Sequence, residues 1–127
     1  MDRGMPGVES RYGRLVVGVR RDGATAVLSP EGELDHHTAP LLRTPLEESL
    51  DEGCHRLVVD CSGLDFCDST GLNVLLTARL RAEAAGGAVH LAAMRPAVAR
   101  VFEITGAGTV FSLHDDLDHA LAELSGR

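Results

Sequence analysis

Lysine is missing from this sequence altogether: all 12 basic residues are arginine. That excludes Schiff-base chemistry and the P-loop nucleotide site, which both need the amine. Tryptophan is absent too, and aromatic residues reach only 3%, so bases or sugars have next to nothing to stack on. Cysteine is scarce. Cys54, Cys61 and Cys67 form an odd set without a C-x-x-C pair, which supports neither a disulfide framework nor a zinc site. No apolar run comes near the ~18 residues of a membrane helix, and the first residues lack a signal-peptide core. The expectation is a cytoplasmic protein with no membrane contact. What the chain does have is acid and aliphatic side chain. Nineteen acidic residues leave a net charge of −7, which argues against nucleic acid as a ligand. Apolar residues make up 44% of 127, enough for one domain with a real core.

Residues 1–13 are polar and Gly-rich without periodicity and read as a flexible N-terminal tail. Leu15–Val19 and Ala24–Ser29 flank Asp22-Gly23 as a hairpin, and Pro30 to Glu33 is expected to break or bend its second strand. Leu42, Leu46 and Leu50 mark a helix opened by Pro40, which Pro45 should delay or kink. Leu57-Val58-Val59 reads as a strand buried on both faces, closed by a turn at Asp60–Gly63. Thr70–Ala85 is the clearest helix, with Leu72, Leu75, Leu76 and Leu80 expected on its inner face. A strand over Ala88–Ala93 follows, then a helix from Pro96 with Val98, Val101 and Phe102 inward. The last elements are an edge strand near Val110–Leu113 and a helix with Leu117, Leu121 and Leu124 inward. This order predicts an α/β fold: a mixed β-sheet of about four to five strands packed against about four helices.

The segment Leu64–Leu72 carries the most chemistry. It places Asp68 and Ser69 at a helix N-terminus, where backbone N–H groups lack partners and a phosphate can be accommodated. Asp and Ser are also favoured N-caps of any helix, and residue types alone make the plain cap the stronger reading. An esterase elbow fails because Cys67 stands at its first glycine. A Ser-His-Asp triad stays open, since six His and ten Asp offer many pairs. No metal is expected: His36 and His37 are adjacent on a loop, and Asp115, Asp116 and Asp118 lack the rest of a calcium loop. His55, His90, His114 and His119 are scattered and read as solvated or hydrogen-bonded rings. Glu33-Leu34-Asp35 reads either as a capping loop or as acidic groups brought to the same sheet end as Ser69.

Taken together, Gly32-Glu33-Leu34-Asp35, Thr38-Ala39-Pro40, Leu57–Gly63, Phe66–Leu72, Gly86-Gly87 and Ile104-Thr105-Gly106 resemble the bacterial anti-sigma factor antagonists of the STAS domain family. The likeness covers roughly residues 14–124, and Asp68-Ser69-Thr70-Gly71-Leu72 is its most specific part. The resemblance implies a STAS-like sheet and a partner-switching role. Ser69 would be the phosphoacceptor of an anti-sigma factor that is also a serine protein kinase. The unmodified chain would bind that kinase and free a sigma factor, and a metal-dependent serine phosphatase would restore it. The chain would then be no enzyme, with no catalytic residue and no cofactor. The resemblance puts Asp35, Asp68, Thr70, Gly71 and Asn73 on the partner-binding surface. Asn73 departs from the Gly or Ala of many relatives, and Cys67 and Pro45 also depart. A homodimer is left open.

Charge supplies a mechanism for such a switch. Phosphoserine adds about −1.5 to −2 charges, which a helix N-terminus tolerates with a gain of up to about 1 kcal/mol. Beside Asp68, Asp65 and Asp35 the added charge should weaken close docking by roughly 100-fold without a change of shape. Two other readings remain: a STAS scaffold or sensing module that is never phosphorylated, and a small hydrolase using Ser69 with a histidine.

Overall fold

The structure, a computed structural model, describes residues 14–125. The tail expected over residues 1–13 lies outside them. The elements are β1 (Leu15–Asp22), β2 (Thr25–Leu34), α1 (Ala39–Asp51), β3 (Arg56–Asp60), β4 (Leu64–Cys67), α2 (Ser69–Ala84), β5 (Ala88–Ala92), α3 (Pro96–Thr105), β6 (Ser112–His114) and α4 (Leu117–Ser125). A short 3-10 turn, Ala107–Val110, precedes β6.

β1 and β2 form the expected antiparallel hairpin, closed where Gly23 takes φ +62°. The rest of the sheet is parallel. Its path runs β1-β2-β3-β5-β6, with β4 paired to the far end of β2. The mixed α/β sheet with four helices is therefore present, with six strands rather than four or five. Leu57, Val58 and Val59 are fully buried because helices cover both faces of β3. The main core lies between the sheet and α1, α2 and α3, around Leu28, Leu34, Leu42, Leu46, Leu75 and Phe102. On the other face α4 covers a small second core of Val27, Val58, Ala92 and Ala120.

Two local expectations need correction, one holds in part, and one strand was not expected. Pro30 does not break β2. It falls between the last residue paired to β3, Leu28, and the first paired to β4, Gly32, so neither neighbour needs its missing N–H. The irregularity expected over Pro30 to Glu33 falls at Gly32–Glu33, where the register shifts and Gly32 takes φ +120°. Pro45 lies inside an unbroken α1. The carbonyl it leaves without an N–H belongs to exposed Leu41, where water can reach it. The stretch after Gly63, to which the sequence pattern assigns no element, is a strand, β4. Finally, α2 buries Leu72, Val74, Leu75, Ala78 and Ala82, while Leu80 is 61% exposed. The small alanines turn inward because α2 packs against α1 as well as the sheet.

Candidate functional site

Residues Leu34 and Cys67 are register partners in parallel strands. Asp35 and Asp68 thus leave the sheet side by side, and each leads into a helix. Asp68 donates its N–H to Leu34 O at 3.1 Å, joining the two turns. Its carboxylate Oδ1 accepts the Gly71 N–H at 3.0 Å and caps α2. Asp35 Oδ1 accepts the N–H groups of His37 at 2.9 Å and Thr38 at 3.0 Å. In return Thr38 Oγ1 accepts the Asp35 N–H at 2.9 Å and donates to Glu33 O at 2.7 Å. Partial burial alone would raise the Asp35 carboxyl, but the Thr38 and His37 donors outweigh it and hold the group below its usual value.

Ser69 is the first residue of α2 and is exposed. Asn73, one turn on, is exposed on the same side, and Thr70 is half-buried beside it. Gly71 is buried and presents nothing to a visitor. Its part is close approach: a Cβ there would lie 2.5 Å from Leu34 Cγ and 3.2 Å from Cys67 Sγ. The Ser69–Asn73 stripe continues through Thr77 into a groove between α1 and α2, flanked by Arg43 and Glu47. Arg81 bonded to Asp51 at 3.0 Å closes its far end.

Two neighbours were not singled out by sequence reasoning. Phe66, two residues before Asp68, is 48% exposed, and Leu41, in the first turn of α1, is 52% exposed. By contrast, the remaining phenylalanines, Phe102 and Phe111, pack edge-on with centroids 5.8 Å apart in the core. In a chain with three Phe, one left in water on β4 is the legible signal. Asp65 does not add bare charge as expected, because Arg95 forms an ion pair with it and also donates to Ser62 O at 2.7 Å. Cys67, beneath the site, is buried; burial and the Asp68 charge push its thiol up to about 12.

Apart from the His37 N–H on Asp35, the histidine ring contacts are with one another or with Asp116. His36 and His37 have ring centroids 4.1 Å apart on an exposed turn, His90 meets His114, and His119 meets Asp116. Among the described residues no group of three or more His, Cys, Asp or Glu is arranged to hold a metal ion. No helix there is long and apolar enough to cross a membrane.

Comparison with known proteins gives a consistent result. A family model described as "STAS domain" matches residues 17–120. The anti-sigma F factor antagonist of Paenibacillus polymyxa is 32% identical over 94 residues, 73% of this chain and 80% of the relative. The crystal structure of an anti-sigma factor antagonist from Mycobacterium paratuberculosis is 29% identical with a TM-score of 0.79, over 87% of this chain and 93% of that one. The Bacillus cell fate determinant SpoIIAA in its phosphorylated form is 22% identical with a TM-score of 0.69, covering 86% and 99%; at that identity the likeness is one of fold.

Proposed function

Since the chain belongs to the STAS domain family, we propose that it is an anti-sigma factor antagonist switched by phosphorylation of Ser69. Unphosphorylated, it binds an anti-sigma factor that is also a serine kinase, in the cytoplasm, and a sigma factor is freed. The kinase then moves the γ-phosphoryl group of ATP to Ser69 Oγ, whose proton leaves, and docking ends. A metal-dependent serine phosphatase hydrolyses the phosphoester and restores binding. Ser69 is a substrate of its partner rather than a nucleophile, and the chain itself catalyses nothing. The names of its relatives support the antagonist role.

One observation carries the Ser69 reading: an exposed serine at the first position of α2, next to Asp68 and on the turn that pairs with the Asp35 turn, with both carboxylates already committed to backbone donors. Asp35 is held by the His37 and Thr38 N–H groups and Asp68 by the Gly71 N–H, so neither is free to swing away from a phosphate. A partner seated on Asp35, Asp68, Thr70 and Asn73 therefore meets the full added charge. The helix N-terminus meanwhile keeps the modified fold intact.

Intact-mass measurement after incubation with ATP and candidate anti-sigma kinases tests this. One added phosphate is expected, and none in Ser69→Ala. Ser69→Asp should bind the phosphorylating kinase roughly 100-fold more weakly than the wild type. A kinase that binds the chain tightly yet leaves its mass unchanged would favour the unphosphorylated scaffold instead.

A further inference from the structure

Away from Ser69, β5 and β6 hold two histidines in direct contact. His90 Nδ1 and His114 Nε2 are 2.9 Å apart, and the rings stack with centroids 5.1 Å apart. His90 is buried in the sheet and His114 half-buried. The pair matters because β6 is so short. Only Ser112, Leu113 and His114 pair with β5, opposite His90, Leu91 and Ala92. One more bond, from Ala93 N–H to His114 O at 3.0 Å, is made by a residue at φ +60°, a conformation alanine rarely adopts. α4 begins three residues after His114 and rests on the small second core, with Leu117, Leu121 and Leu124 only half-buried.

We propose that the His90–His114 pair is an acid-operated latch that holds β6 and α4 against the sheet, so that acidification loosens this end of the molecule and leaves the Ser69 end folded. At 2.9 Å the two nitrogens have room for one proton between them, donated by one ring and accepted by the other. A first extra proton sits on an outer nitrogen and leaves the contact intact, but buries a charge. A second makes both facing nitrogens donors, and the contact must open. No third His, Cys, Asp or Glu joins the pair among the described residues, so it is arranged for a proton rather than a metal ion.

The surroundings set the direction. β3 offers His90 apolar Val58, its register partner; β6 offers His114; α4 offers the charge of Glu123. Asp116, Asp118 and His119 are exposed, with Asp116 and His119 engaged together. Burial first, and then a charged His114, hold His90 below its ordinary value, while Glu123 opposes them. A released His90 therefore binds its proton before the latched one does. Stability at this end is present above the ordinary histidine range and is lost as pH falls through and below it.

Amide hydrogen exchange of the full chain, expressed as protection factors at about pH 7.5 and about pH 5, tests the latch. Protection over β6 and α4 should fall severalfold between the two pH values. Protection over β2 and α2 should hold, and in His90→Phe the acid-induced fall should vanish. An even loss over the whole chain, no loss at all, or an unchanged loss in His90→Phe overturns the proposal. Should that variant not fold, NMR titration of the wild-type rings decides: two coupled steps support the latch, and two independent ordinary curves refute it.

Discussion

On one face of the sheet three helices cover a core in which Leu28, Leu34, Leu42 and Leu57 have no exposed surface. On the other face one helix sets its Ala120 against Val27, Val58 and Ala92, and its three leucines stay half-buried. The contrast shows where this small domain keeps its rigidity. The strand ends and helix starts around Ser69 grow out of the densely covered face, so a visiting surface meets carboxylates in fixed positions. β6 and α4 hold on with three ladder pairs, a histidine contact and a thin apolar layer. Such an element is drawn from the low-stability end of a structure, where opening is local.

Cutting one leucine from each face tests the contrast most strongly. Leu34→Ala should cost about 2–5 kcal/mol in urea unfolding, because the side chain is fully buried beneath both capped turns. Leu121→Ala should cost only about 1 kcal/mol. Equal losses would mean that the faces are alike. Asp68→Ala, which strips the cap from α2, should cost about 1 kcal/mol by the same measurement. The smallest effect belongs to Asp35→Asn, which keeps the acceptor oxygen and removes the charge. The wild-type carboxyl titrates below its unfolded value, so its contribution is present above that value and fades as pH falls through the folded one. Wild type and variant should therefore converge in stability below about pH 4, the carboxylate range, and separate slightly above it. Parallel curves would show that Asp35 is held by geometry alone.

Much of this architecture was legible from residue patterns. The wholly apolar Leu57–Val59, the Pro96 and Gly106 that bound α3, and the Asp68 cap each declare themselves locally. What stayed hidden depends on strands distant in sequence. β4 has four residues in a buried-exposed-exposed-buried pattern that no alternation reveals. Asp35 meets Asp68 only through the Leu34–Cys67 register, and Pro30 is harmless only because β3 ends before β4 begins. His90 reads as one ring in an apolar strand until β6 brings His114 alongside. The inner face of α2 was misjudged because leucines outrank alanines by hydrophobicity, whereas close helix packing selects for small size.

Cys67 lies two residues before Ser69 and is buried, its thiol pushed up to about 12 and so protonated at physiological pH. Peroxide and alkylating agents attack thiolates, and here they would find almost none. Burial of this thiol thus leaves little for a thiolate-directed reagent to attack at the start of α2.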